Sequence, residues 1–210
     1  MKSTIVSLMG LIMFMGMVQA QASDIDLGIS VTDGKLRNFY LAIGDYYQVP
    51  PRQIVQIHER CRCTDEELPV IYFLAARARV EPGAIIDLRI GRMSWFEIAL
   101  HYGLGPDIFF IPVTATRIGP PYGKAYGYYR KYGPGGNWQK TKLSDSDVTA
   151  LVNLRFMSEH YRMTPEKVME MRDREKRFMV INDEIGKEKD KGKPEKQAET
   201  KKNQSGKDKR

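Results

Sequence analysis

A seven-residue phrase that occurs four times constrains the fold of this chain more than any other feature. It reads apolar residue, any residue, Pro, any two residues, then two apolar residues, and it spans 49–55, 80–86, 104–110 and 163–169. Proline is tolerated as the first residue of a helix, because its missing N–H would have no partner there. The apolar residue before it can then pack on the fourth helical residue as a hydrophobic staple. Each phrase therefore predicts a helix that begins at its proline: Pro51, Pro82, Pro106 and Pro165.

Apolar residues also recur at helical spacing before these phrases, as in Leu36, Phe39, Tyr40 and Ile43. Each unit thus predicts a helix, a tight turn and a second helix. The phrases begin 31, 24 and 59 residues apart, and removing the 30 residues 113–142 shortens the last interval to 29. We therefore predict a mainly α protein of repeated helical hairpins (helix-turn-helix-like units) with one long Gly/Tyr-rich insertion at 113–142.

Local signals refine this prediction. Thr64 with Glu67 and Ser94 with Glu97 have the spacing of a capping box, and a long helix is predicted to start at 144–147. Residues 25–31 alternate between apolar and polar, and 178–181 form a short apolar run. These two segments predict a minor two-stranded pairing of the chain ends.

The N-terminus has the pattern of a secretory signal peptide. Lys2 gives a positive start, residues 4–18 are almost wholly apolar, and small residues permit cleavage after Ala20 or after Ala22. The apolar run is shorter than the roughly 20 residues of a comfortable membrane span, although an uncleaved anchor is the alternative. Residues 1–22 therefore predict an exported protein, most simply a periplasmic one, with no transmembrane segment after cleavage.

Composition separates a helical domain, residues 23–185, from a C-terminal tail, residues 186–210. The tail holds ten Lys or Arg, five acids and no aromatic residue, so we predict that it is disordered. The net charge of the whole chain is +7, and most of it lies in the tail. The helical domain is nearly neutral, so the basic composition does not predict a nucleic-acid-binding face.

The insertion is the predicted binding site. It contains six Lys or Arg and no acid, and its aromatics are interleaved with these cations. Such side chains stack on flat or sugar-like surfaces and contact phosphates or carboxylates, and long loops are often functional. A loop whose tyrosines only cover the core is the alternative. The predicted binding residues are Arg117, Tyr122, Lys124, Tyr126, Tyr128, Tyr129, Arg130, Lys131, Tyr132 and Trp138.

The cysteines and histidines do not predict a metal site. Cys61 and Cys63 are one residue apart, so a disulfide or redox role competes with pairing between chains and with free thiols. Metal binding would need further ligands. His101 and His160 are each followed by Tyr, which packing in matching units explains more simply than ligation. No cofactor motif is recognisable.

Two resemblances are visible. Residues 98–105 resemble the first helix and turn of DNA-binding helix-turn-helix proteins, but the next helix would offer Ile108, Phe109 and Phe110, which cannot read base edges. Nucleic acid is therefore not an expected partner. The signal peptide, the phrases around Trp95 and Pro106, and Gly-Pro-Pro-Tyr-Gly at 119–123 resemble exported bacterial proteins. That resemblance implies export and no mechanism.

Together these features predict a non-catalytic binding or scaffolding module of the bacterial cell envelope. An envelope protein, or a cell-wall or other anionic polymer, is the expected partner of residues 117–142. The alternative is an envelope enzyme or enzyme accessory whose site lies between that loop and the helices, with Tyr, His101 or His160 taking part.

Overall fold

The computed structural model describes residues 33–111, 113, 142–174 and 177–191 of the chain. These ranges are mainly helical and contain no β-strand, which confirms the prediction of a mainly α protein. The described ranges also contain two 3-10 helices: Asp65–Glu67, which we call the acidic turn, and Pro106–Phe109. The α-helices are α1 (Gly34–Tyr47), α2 (Pro51–Cys61), α3 (Leu68–Ala78), α4 (Pro82–Ile90), α5 (Trp95–His101), α6 (Asp145–Tyr161), α7 (Pro165–Arg174) and α8 (Phe178–Lys191).

The helices that begin with proline are all entered through the same backbone turn. The residue before the phrase has a left-handed φ, which is 56° at Gln48, 58° at Arg79, 70° at Gly103 and 55° at Arg162. The N–H of the first apolar residue then donates to the carbonyl five residues back, as Val49 does to Gly44 at 2.9 Å. This is the Schellman closure of the preceding helix. The phrase therefore ends one helix and starts the next within four residues.

The left-handed residue of these turns gives a stability prediction. Gly103 has φ +70°, and a Cβ added there meets nothing within 4 Å, so replacement by Ala costs only the backbone strain. We expect Gly103→Ala to lower the free energy of unfolding by about 1–2 kcal/mol. Arg79→Gly, at the same place in another turn, is expected to raise it by about 0.5–1 kcal/mol. Urea unfolding of both variants measures this, and effects of the same sign would contradict the shared geometry.

The core is built around α3. Residues 68–75 of this helix are all buried, and α3 packs against α4 and α6. Helix α1 packs against α2 and also against α8 from the other end of the described chain. The large side chains with almost no exposure come from helices throughout this assembly: Phe39, Trp95, Phe109, Phe156 and Phe178. Because α8 packs on α1, the described helices close on themselves and do not form an open stack in which each unit touches only its neighbours.

The helix starts that the capping patterns predicted are all present. Thr64 N–H donates to Glu67 Oε2 at 2.8 Å, and Ser94 N–H donates to Glu97 Oε2 at 2.8 Å. Ser144 N–H donates to Asp147 Oδ2 at 3.0 Å at the start of α6. None of the described helices has both the length and the apolar composition needed to cross a membrane.

Two predictions for the C-terminal part are wrong. Residues 178–181 do not form a strand, because they begin α8, in which Phe178, Ile181 and Ile185 are buried at helical spacing. The predicted tail boundary at Gly186 is also wrong, because α8 continues to Lys191. The N-terminal end of α8 is held by Glu66, whose Oε1 accepts a hydrogen bond from Phe178 N–H at 2.5 Å. A cap supplied by a residue so distant in sequence leaves no local pattern. The proposed partner strand, 25–31, lies outside the described residues.

Candidate functional site

The predicted binding residues, Arg117 to Trp138, lie outside the part of the chain that the structure describes. The structure does describe the frame on either side of them. The described chain runs to Ile111 and Val113 on one side and resumes at Lys142 on the other. We call residues 108–111 and 142–145 the segment base. Its geometry determines where residues 117–142 are attached.

The outgoing end of the segment base is held by Arg155, which lies in the middle of α6. The Arg155 guanidinium donates to the carbonyl oxygens of Phe110 and, at 3.3 Å, of Ile108. It also pairs with Glu159 at 2.9 Å, and Glu159 accepts a hydrogen bond from the Tyr46 hydroxyl of α1. The side chain of Arg155 is only 13% exposed, and its guanidinium lies 5.9 Å from the Phe73 ring centroid. One buried cation therefore joins the outgoing chain to α1, α3 and α6.

The returning end is fixed at the first turn of α6. Leu143 is buried, and Ser144 caps the helix through its reciprocal bonds with Asp147. Asp145, the next residue, accepts from Arg89 at 2.6 Å through Oδ2 and from Trp95 N–H at 2.7 Å through Oδ1. The start of α6 is thereby tied to the end of α4 and the start of α5.

The acidic turn completes this attachment. Glu67 Oε1 accepts from Trp95 Nε1 and from Arg89, each at 2.8 Å, and the Arg89 guanidinium lies 4.3 Å from the Trp95 ring centroid. Burial alone raises the pKa of Glu67, but hydrogen bonds from Thr64 and Trp95 and the charge of Arg89 outweigh it. The pKa of Glu67 consequently lies below its ordinary value, and the group is ionised at neutral pH.

The other two carboxylates of the acidic turn bind other parts of the fold. Asp65 accepts from the Tyr40 hydroxyl at 2.7 Å and lies 3.4 Å from His58 Nε2. Glu66 caps α8, as described above, and lies 3.9 Å from the Arg172 guanidinium. Burial raises the pKa of Glu66, and the charge of Arg172 and the N–H groups that begin α8 offset this only in part. Of these three successive acids, Asp65 contacts α1 and α2, Glu66 contacts α8, and Glu67 contacts α4 and α5.

The two ends of the segment base are attached well apart on α6. Ser144 precedes the helix, and Arg155 lies eleven residues further on, which is about 16 Å along the helix axis. The 28 residues 114–141 join these ends, and a chain of that length spans up to about 90 Å when fully extended. The attachment therefore leaves ample chain for contact with a partner beyond the helical surface.

The role of Arg155 predicts a local effect. We expect Arg155→Met to lower the free energy of unfolding by about 2–3 kcal/mol, because it removes charge-assisted hydrogen bonds to two backbone carbonyls. Backbone amides around Phe110 should also exchange their hydrogens faster than those of α3. Hydrogen exchange with mass spectrometry measures both regions. Arg174→Met, which removes an exposed ion pair with Glu170, is the control. It should change neither the free energy of unfolding nor the exchange around Phe110. Uniform acceleration of exchange would contradict the anchoring role.

The residues named for the enzyme alternative lie in different settings. His101 is exposed at the end of α5 and contacts only Tyr102 among the described rings. His160 lies near the end of α6, stacked on Phe156 at 5.6 Å between ring centroids, with Nδ1 3.7 Å from Asp45. Burial raises the pKa of the neighbouring Tyr161 to about 12. Burial and the bond to Glu159 also raise the pKa of Tyr46. These phenols therefore donate hydrogen bonds at neutral pH and do not act as bases.

Cys61 and Cys63 are joined in a disulfide, with their Cα atoms 5.1 Å apart. It spans the last residue of α2 and the residue before Thr64. Within the described ranges no group of three or more His, Cys, Asp or Glu side chains is arranged to hold a metal ion.

Sequence reasoning did not find the residues that attach the segment. No local motif marks Arg155, Arg89 and Asp145, since Arg155 lies 45 residues from Phe110 and Arg89 lies 56 residues from Asp145. The sequence signal was the capping box at Thr64 and Glu67. It identified Glu67 as a hydrogen-bond acceptor but did not predict its bonds to Arg89 and Trp95. Comparison of the chain with protein-family models, with curated proteins and with solved structures finds no match.

Proposed function

We propose that this chain is an exported, non-catalytic binding or scaffolding protein of the bacterial cell envelope, and that it contacts its partner through residues 117–142. The observation that carries the proposal is a segment of charge +6, rich in Tyr, whose two ends are attached at separate places on one rigid helix. The signal-peptide pattern of residues 1–22 supports export.

The chemistry of the segment favours an anionic partner. Arg and Lys supply charge, and Arg in particular makes paired hydrogen bonds to carboxylates and phosphates. Tyr and Trp supply large, rigid contact area at low entropic cost, which is why these residues are common in interfaces. An acidic surface of an envelope protein or an anionic cell-wall polymer combines charge with flat or sugar-like faces. Nucleic acid is not proposed, because Ile108, Phe109 and Phe110, which follow Pro106, are apolar and cannot read base edges.

We also propose that the helical body derives from repeated hairpins, interrupted by this one insertion. The support is the common turn at Gln48, Arg79, Gly103 and Arg162. In such proteins insertions gather on one face, which is often the binding face.

The test is an in-cell crosslinking pull-down with the full-length chain, tagged at its C-terminus. The first variant replaces residues 117–142 with a Gly/Ser linker of equal length. The second changes Arg117, Lys124, Arg130 and Lys131 to Gln, and the third changes Tyr126, Tyr128 and Tyr129 to Ser. The control changes Lys201 and Lys202 of the tail to Gln.

We expect the wild type and the tail control to capture the same partner, whether protein or polymer, and all three segment variants to lose it while keeping the same melting temperature. We also expect the wild type to lose its partner at high salt, because salt screens the attraction between surface charges. Capture by all variants alike would place the binding surface on the helices. The N-terminal sequence of the recovered protein tests export separately, since it should begin at Gln21 or Ser23.

A further inference from the structure

The disulfide lies in a turn that the fold makes repeatedly without one. Six turns in the described ranges place a left-handed residue before the residue that leads into the next helix. Their left-handed residues are Gln48, Arg62, Arg79, Arg92, Gly103 and Arg162. In the turn at Arg62 the flanking residues are Cys61 and Cys63, and in the other five the flanking pairs contain no cysteine. Arg62 N–H donates to the His58 carbonyl at 3.0 Å, and Arg79 N–H likewise closes α3 on Ala75. In the five turns without cysteine, the next residue also donates to the carbonyl five residues back, as Val80 does to Ala75 at 3.0 Å. Those five turns are closed by backbone hydrogen bonds and carry no crosslink.

The crosslink also restricts the conformations of the unfolded chain very little. A disulfide stabilises a protein mainly by restricting its unfolded ensemble, and this effect shrinks with the number of residues that the bond encloses. Cys61 and Cys63 enclose a single residue. A stabilising role therefore explains the pair poorly.

The two cysteines are unequally exposed. The Cys61 side chain is 9% exposed, whereas Cys63 is half-buried at the edge of the core cluster. Arg62 lies between the two cysteines, is exposed, and forms no ion pair with any residue that the structure describes, whereas Arg60 pairs with Asp87. Positive charge near a thiol favours the thiolate, which is the form that attacks a disulfide. An incoming thiolate thus meets the more exposed residue of the pair, Cys63, next to the unpaired cation of Arg62.

We propose that Cys61–Cys63 is an exchange-active disulfide whose substrates are dithiols of proteins in the cell envelope. A substrate thiolate attacks the Sγ of Cys63, the bond to Cys61 breaks, and the Cys61 sulfur takes the electron pair and a proton. The second substrate thiolate then attacks the substrate sulfur of this mixed disulfide and releases Cys63. Two electrons and two protons pass from the substrate dithiol to Cys61 and Cys63, and the substrate leaves as a disulfide. This activity is independent of the binding function proposed for residues 117–142.

The first test uses the purified, oxidised wild-type protein and a reduced peptide with two cysteines as the probe. We expect one peptide to be oxidised per protein, at least about tenfold faster than with the Cys61→Ser/Cys63→Ser variant, because the only exchangeable disulfide is lost. A series of glutathione buffers, followed by alkylation and mass measurement, should show Cys61–Cys63 becoming reduced under conditions where structural disulfides stay oxidised. A disulfide that stays oxidised through the series overturns the proposal.

The second test separates the roles of the two sulfur atoms. With a disulfide peptide as the probe, Cys61→Ser leaves Cys63 and is expected to accumulate a mixed disulfide. Cys63→Ser leaves the buried Cys61 and is expected to trap at least about tenfold less, since exchange requires access. Equal trapping by both variants, or none by either, contradicts the assignment. The melting temperature of the double variant is the structural readout. We expect a cooperative transition close to that of the wild type, and a collapse of that transition would instead make the bond structural.

Discussion

Trp95→Ala is expected to lower the free energy of unfolding by about 3–5 kcal/mol, the largest effect of any single change considered. Trp95 is fully buried at the first position of α5. Its removal leaves a large cavity, deprives Glu67 of the indole N–H, and removes the ring on which Arg89 stacks. Chemical denaturation with circular dichroism as the probe measures the loss.

Leu100→Ala is the matched control for Trp95→Ala, because it lies in the same helix and is 51% exposed. It should change the free energy of unfolding by no more than about 0.5 kcal/mol. Tryptophan fluorescence adds a check, since Trp138 is then the only remaining indole in the Trp95→Ala variant. A loss below about 1 kcal/mol for Trp95→Ala would mean that α5 is not part of the folded core.

Glu67→Gln and Glu66→Gln are expected to have opposite consequences although the residues are adjacent. Gln at 67 keeps one acceptor but loses the charge that faces Arg89, so we expect a loss of about 1–3 kcal/mol at pH 7. Gln at 66 still accepts from Phe178 N–H and no longer buries a charge. Its free energy of unfolding at pH 7 should equal or exceed that of the wild type.

The pH dependence follows from the direction of each pKa. The pKa of Glu67 is below its ordinary value of 4.5 in the folded protein, so its stabilisation is present above that pH and is lost as the pH falls through the folded value. The pKa of Glu66 is above 4.5, so its ionisation opposes folding as the pH rises through the folded value. Denaturation at pH 3 to 7 should therefore show a flatter profile below pH 4.5 for Glu67→Gln than for the wild type. A Glu66→Gln variant that is less stable than Glu67→Gln at pH 7 would contradict this assignment.

Helix starts were predictable because their signals are local. Pro51, Pro82 and Pro165 begin α-helices, and Pro106 begins a 3-10 helix of four residues. The capping boxes at Thr64, Ser94 and Ser144 were equally readable, since a box needs only two residues three positions apart.

Contacts between distant helices were not predictable. The run 178–181 is apolar enough for a strand, and its helical state depends on Glu66, which lies 112 residues earlier. The same holds for Arg155, whose carbonyl partners precede the insertion. Periodicity identifies a buried face, but it does not identify the partner that satisfies a backbone group at a helix end. The candidate site was predicted from composition alone, and the structure adds how its two ends are attached.

We propose that the segment whose flanking residues are held by Arg155 and Asp145 is the contact surface. The most direct measurement places a photo-crosslinking amino acid at Tyr128 in living cells and compares it with the same group at Glu59, an exposed position on α2. We expect a defined crosslinked product from Tyr128 that disappears when Arg130 and Lys131 are changed to Gln, and no such product from Glu59. The same product from Glu59, or a product from Tyr128 that survives the charge change, would contradict it.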